Sequence, residues 1–209
     1  MHTEYNNLLV VVQGNRRCSP EIIDRHWTGF NLVWSVWDDD TIETHNPIIR
    51  NEKPKSAGVG NITLQSKGTL RGLEYAKEKG FTHVLKWRTD QYPTNAKQLV
   101  DLFDFDKINV LAKHNHDHVL AKRDHTYGYY VDYFMLGNVD DMIKIWSVEN
   151  THNIPYPEYE IKNRINTFGF SIKCICSYLT DDNDIIWTSR NNLKLNTYNL
   201  DKTFITLCG

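Results

Sequence analysis

Apolar residues in this chain come in short unbroken runs, separated by stretches in which they recur every three or four positions. Leu8 to Val12 is an uninterrupted aliphatic run that stops at Gln13-Gly14-Asn15. A strand of a parallel sheet reads this way, because neither side of its pleat meets water. Ser19-Pro20-Glu21 then predicts a helix start, with Ser as the cap and Pro at the first helical position. Ile22, Ile23, His26 and Trp27 mark that helix's apolar side. Leu32 to Trp37 predicts a second strand, and it runs straight into Asp38, Asp39 and Asp40.

The segment 41–60 carries Pro, Gly, Asn and Lys without apolar period, which predicts a long loop placed to close over a ligand. Leu70, Leu73 and Ala76, with Ile62 and Leu64 upstream and Gly80 as the stop, predict a helix over 62–79. Lys67 and Arg71 lie four apart on one of its faces. His83 to Trp87 predicts a strand that leads into Arg88-Thr89-Asp90-Gln91. Beyond it the pattern predicts a helix over 96–103, strands over 108–112 and 129–136, and a short helix over 140–146. A further helix starts at Pro157 and runs through Arg164, with 172–179 continuing or following it, and a strand at 185–188 closes the series. Neither an internal repeat nor a linker interrupts the chain, so residues 1–209 read as a single α/β domain built on a mostly parallel sheet flanked by helices.

Composition narrows the function classes. The 40% hydrophobic and 24% charged residues are those of a folded protein rather than a disordered one. The 24 Lys and Arg against 26 Asp and Glu give net charge -2, which supplies no overall field for a polyanion and sets nucleic acid aside as the main partner. The apolar runs fall far short of the roughly 20 residues of a membrane span. Met1-His2-Thr3-Glu4 lacks the positive start and apolar stretch of a signal peptide. Cys18, Cys174, Cys176 and Cys208 are too few and too irregular for a disulfide framework, so the expectation is a cytoplasmic protein in a reducing compartment.

A parallel sheet brings the polar groups after its strands to one edge, and three such clusters occur: Gln13 to Arg17, Asp38 to Asp40, and Arg88 to Asp90. Ligands of open α/β sheets bind at that edge. A nucleoside diphosphate needs cations around its phosphates, an amide or carboxylate for its base, and often a divalent ion on carboxylate oxygen. Each cluster alone is what a solvated loop would carry; their repetition at successive strand ends favours a site. Asp38 or Asp39, with Gln13 and Arg16, is expected to contact base and ribose, with Arg71 pointing to the same pocket.

Asn61-Ile62-Thr63-Leu64-Gln65 through Gly72-Leu73, then Val84-Leu85-Lys86-Trp87-Arg88-Thr89-Asp90, resembles the WavE-type lipopolysaccharide-synthesis proteins. Tyr133-Phe134-Met135-Leu136-Gly137, Asp140-Asp141-Met142 and Pro157-Glu158 are similar to the same family in the same order. The resemblance implies a single-domain, Rossmann-like GT-A fold and a hexosyltransferase-like enzyme of polysaccharide biosynthesis. Its donor would be a nucleotide sugar, in the first place a UDP-sugar, and its acceptor a glycan or lipid-linked glycan. It puts Arg88-Thr89-Asp90 at the place of the acidic metal motif, with Arg88 where the first carboxylate would stand. Two readings follow. Either Asp90 holds Mn²⁺ or Mg²⁺ together with the phosphates, or Arg88 and Lys86, on one face of the strand, neutralise the diphosphate themselves. The resembling folds also place a catalytic base where Glu158 falls, with Asp132 as second choice. A first-turn acid at Glu158 is equally what a helix dipole favours.

His114-Asn115-His116-Asp117-His118 offers a rival chemistry, since alternating histidines share a strand face and bind metal, as a metal-dependent hydrolase would require. In a chain with 9 histidines and many asparagines, a polar loop is the simpler account of the segment. A sugar- or nucleotide-binding module without catalysis is the third class, and it would need neither Glu158 nor Asp90.

Overall fold

The computed structural model describes residues 5–93, 95–113, 129–148, 157–174 and 205–207. Strand β1 (Leu8–Gln13) leads to helix α1 (Pro20–His26) and then to strands β2 (Asn31–Trp37) and β3 (Ile48–Asn51). A 3-10 turn at Val59–Asn61 opens into helix α2 (Ile62–Glu78), followed by β4 (His83–Arg88), the short β5 (Gln91–Pro93) and α3 (Ala96–Asp101). Then come β6 (Ile108–Lys113), β7 (Tyr129–Asn138), α4 (Val139–Trp146), α5 (Pro157–Phe168), β8 (Ile172–Cys174) and β9 (Ile205–Leu207).

Among the described residues seven strands form one sheet in the order β3-β2-β1-β4-β7-β6-β8, and β5 pairs with β9 in a separate ribbon. β3, β2, β1 and β4 are parallel, β7 is antiparallel to β4 and β6, and β8 is parallel to β6. The mostly parallel α/β sheet expected from the sequence is therefore present. The chain steps outward from β1 to β3 and then returns to the other side of β1 to lay down β4. Strand order reverses at the β1–β4 pair.

Alternate residues of the central strands feed two cores. Leu8, Val10, Val12, Trp34, Leu85, Trp87 and Phe134 pack with Ile23 of α1, Trp27 just after that helix, and Leu99 and Val100 of α3. Leu9, Val11, Val33, Val84 and Met135 pack on the other face with Leu73 and Ala76 of α2, Met142 and Ile145 of α4, and Ile161 and Ile165 of α5. Burial of each such side chain contributes about 1.5–3 kcal/mol, and covering both faces is what makes β1 apolar without alternation. The α1 face is also tied by a half-buried polar group: Asp24 accepts hydrogen bonds from the Trp34 indole N–H, at 2.9 Å, and from the Thr44 hydroxyl.

One part of the fold departs from the periodicity reading. Strand β3 lies inside the stretch expected to be loop; its Ile48-Ile49 pair is too short to display a period, and pairing with β2 alone makes it a strand. Of the two alternatives for the run from Ile172, it follows α5 rather than continuing it, and Ile172–Cys174 forms β8 against β6. Gly169, at φ 68°, ends α5 in the left-handed conformation, and Phe170 N–H turns back to the Ile165 carbonyl. Cys18, 3% exposed, is disulfide-bonded. The expected strand 185–188 lies outside the described residues. No described helix is long and apolar enough to cross a membrane.

Helix α2 lies unusually close to β1 because its sheet-facing stripe contains Gly68 and Gly72. A Cβ on Gly72 would sit 2.2 Å from Val11 Cγ1, and one on Gly68 would sit 3.2 Å from Gln13 Oε1. Val11 is branched at Cβ and fully buried, so it cannot swing aside cheaply. Gly72→Ala should therefore lower stability by about 1–3 kcal/mol through overpacking, against the roughly 1 kcal/mol that alanine gains in a helix. Urea melts of Gly72→Ala, Val11→Ala and the double variant test this. The two costs should be less than additive, because shortening Val11 removes the clash; simple additivity would disprove the contact.

Candidate active site

In-register pairing of β1 with β4 sets Gln13 beside Arg88 and Val11 beside Lys86, and pairing of β1 with β2 sets Gln13 beside Ser35. These residues all point to the α2 side, so that face carries apolar layers below and a polar layer at the strand ends. In that layer the Ser35 hydroxyl donates to the Gly68 carbonyl at 2.6 Å. The Asn51 amide donates to the Ser35 hydroxyl at 3.0 Å and to the Val36 carbonyl at 2.9 Å. Buried polar groups are retained at low cost only when bonded in this way.

The loop after β1 is tied across the end of β4. The Thr89 hydroxyl donates to the Asn15 carbonyl, and Cys18 N–H donates to the Thr89 carbonyl at 2.9 Å. These bonds bring Arg17 over Asp90. Arg88 grips the Asp90 carboxylate with both ends of its fork, Nε to Oδ1 at 2.9 Å and Nη2 to Oδ2 at 2.5 Å, while Arg17 Nη1 reaches Oδ2 at 3.4 Å. Asp90 is 13% exposed, Arg88 21% and Arg17 53%. Desolvation pushes the Asp90 carboxyl up, but hydrogen bonding and charge from Arg88, then the charge of Arg17, outweigh it and hold the group below the usual carboxylate range.

The remaining expected site residues fall around this cluster in different ways. Gln13 is 4% exposed and lies beneath Gly68. Arg16 lines a groove of about 1170 Å³ that runs between α1 and the 41–46 segment, past Asp24, Trp27 and Thr44, and does not include Arg88 or Asp90. Asp38 and Asp39 are exposed in the turn after β2, Asp39 with Lys53 Nζ at 3.5 Å. Arg71, expected to point into the pocket, instead pairs on the exposed side of α2 with Glu74. The partner sits one turn further from the helix start, and so draws the guanidinium away from the sheet edge. Lys86 shares the strand face of Arg88 as expected but is fully buried, with its ammonium 5.1 Å from the centroid of the Trp146 ring.

Glu158 is the second residue of α5 and half-buried. Pro157 before it packs on the turn that starts α2: a Cβ on Gly60 would lie 2.6 Å from Pro157 Cδ. The first turn of α5 therefore meets the start of α2, on the Arg88 side of the sheet. Asp132 belongs to β7, its side chain lying outside what is described, and His114 to His118 lie outside the described residues altogether.

The Mn²⁺ or Mg²⁺ implied by the resemblance is a poor match to Asp90, whose two oxygens are already occupied by guanidinium groups. No group of three or more His, Cys, Asp or Glu side chains able to hold a metal ion occurs among the described residues. Sequence reading passed over Arg17 as a partner of Asp90, although it stands in the cluster after β1. Its contact depends on the Thr89–Asn15 bond between distant segments.

An open, mostly parallel sheet with a charged cluster at its switch point defines a Rossmann-like α/β protein, a class whose ligands bind beyond the carboxyl ends of the strands at that point. Within that class the fold is similar to the crystal structure of a glycosyltransferase involved in the glycosylation of the major capsid of PBCV-1. The likeness has a TM-score of 0.50 and 11% identity, and covers 80% of this chain and 81% of that one. At that identity it is the fold that is shared. No family model matches the sequence, and no curated protein matches it either.

The Asp90 shift has a measurable consequence. A carboxyl held below its unfolded pKa contributes stability that is fully present above that pKa, near 3.9, and is lost as pH falls through the folded value. Asp90→Asn should cost about 1–3 kcal/mol at neutral pH, and the gap to wild type should stay level down to about pH 5 and close below about pH 4. Thermal melts of both proteins across pH 3–8 measure this; a gap that persists unchanged at pH 3 would show that Asp90 is not the charged partner of Arg88.

Proposed function

We propose that the protein is a glycosyltransferase that moves a sugar from a nucleoside-diphosphate donor, in the first place a UDP-sugar, to a hydroxyl of a glycan or lipid-linked glycan. The observation that carries this reading is the arginine cluster of Arg17 and Arg88 around Asp90, at the switch point of a sheet that shares its fold with a glycosyltransferase. Breaking the bond between the anomeric carbon and phosphate oxygen leaves negative charge on the diphosphate, and fixed cations at that point lower the barrier to its departure. The short motifs similar to the WavE-type family support polysaccharide biosynthesis as the setting.

Glu158 is assigned as the base of an inverting transfer. Its carboxylate takes the proton from the acceptor hydroxyl as the new bond to the anomeric carbon forms and the diphosphate leaves. Position supports the assignment, because α5 starts beside the start of α2 on the face that carries Arg88. Asp38 and Asp39 are assigned to the base and ribose of the donor. Both are exposed in the turn after β2, and the contact of Asp39 with Lys53, at 3.5 Å between exposed side chains, is one a ligand can displace.

Thermal-shift measurements with UDP, other nucleoside diphosphates and UDP-sugars test the class directly, since a ligand that binds the folded state raises its melting temperature. Stabilisation by at least one nucleotide is expected; no shift with any of them would count heavily against the reading. The Asp38→Ala, Asp39→Ala double variant should bind the nucleotide more weakly with an unchanged melt, because exposed turn residues contribute little to stability. Glu158→Gln keeps the shape of the side chain but cannot accept the proton, so donor binding should survive while transfer falls roughly 10²-fold or more. Full transfer in Glu158→Gln would move the base to Asp132. Activity lost only on replacing His114, His116 and His118 would mark a hydrolase, and nucleotide binding without turnover a binding module.

A further inference from the structure

We propose that the donor's diphosphate is bound by guanidinium groups without a divalent cation, and that Arg17 is the arginine that leaves Asp90 to bind it. The inference rests on the glycosyltransferase reading and deepens it by naming how the same site takes its substrate.

The two arginines on Asp90 are held very differently. Arg88 is largely buried and engages both carboxylate oxygens at short range, so its guanidinium plane is locked at the end of β4. Arg17 touches one oxygen at 3.4 Å, and more than half of its side chain faces solvent. A long contact on an exposed side chain is easily given up. A phosphate oxygen offers the same fork a charged acceptor. Asp90 meanwhile remains bonded to Arg88 and continues to orient it.

The same arrangement works against a metal ion. A divalent cation on Asp90 would have to displace the Arg88 fork, and it would sit within hydrogen-bonding range of two positive groups that repel it. Asp90 is thus a positioning residue for Arg88, and Arg17 a binding residue for the ligand.

Calorimetric titration of the full chain with UDP and with inorganic pyrophosphate, in EDTA and in excess Mn²⁺, tests this. UDP should bind with similar affinity in both buffers and pyrophosphate should compete with it. Arg17→Ala should weaken UDP binding about tenfold without lowering the melting temperature. UDP binding seen only with Mn²⁺ would overturn the inference and leave the donor reading intact. Metal-independent binding unchanged in Arg17→Ala would overturn the role of Arg17. Failure of both UDP and pyrophosphate to bind in either buffer would overturn the inference together with the donor reading.

Discussion

The parallel pairing of β1 with β4 is the constraint on which the rest of the structure depends. The two strands are distant in sequence, and only their adjacency puts the loop after one beside the loop after the other. Because the chain builds β2 and β3 on one side of β1 before returning to place β4 on the other, the crossovers diverge at this pair, the point at which such sheets bind ligands. Three contacts at the candidate site cross that line: Thr89 to Asn15, Cys18 to Thr89, and Arg17 to Asp90.

The layer beneath the crevice is shaped by the close approach of α2 to β1. Gly68 and Gly72 let the helix come down onto Gln13 and Val11, which closes the α2 face over the strand ends. The polar residues there, Gln13, Ser35 and Asn51, are consequently buried, and two of them are spent on internal hydrogen bonds among β2, β3 and α2. The glycine spacing thus sorts the polar residues at the strand ends into a structural layer and an exposed rim. Arg17, Asp38 and Asp39 remain at the rim.

Electrostatics divide the cations in a similar way. Lys86 and Arg88 stand two residues apart on one strand face, yet Lys86 is enclosed with Trp146 in the second core while Arg88 reaches the edge. One residue pair of register separates a group that stiffens the interior from one that can meet a ligand. An arginine suits the edge position, since its planar fork satisfies a carboxylate in plane.

Most elements were legible in the sequence, because each has a period or a boundary of its own: the unbroken run of Leu8 to Val12, the spacing of Leu70, Leu73 and Ala76, and Pro20 and Pro157 at helix starts. The strand-end clusters were legible for the same reason, as polar residues interrupt apolar runs where strands stop. Short edge strands were not, since β3 and β8 owe their conformation to hydrogen bonds with β2 and β6 rather than to local pattern. Nor were the partners at the site. Residue types and spacing determined which groups are available at the sheet edge, but only tertiary packing decided that Arg71 turns to Glu74, that Lys86 is enclosed, and that Arg17 meets Asp90. A side chain's partner depends on which distant segment lies across from it, and that is set by strand order and helix approach.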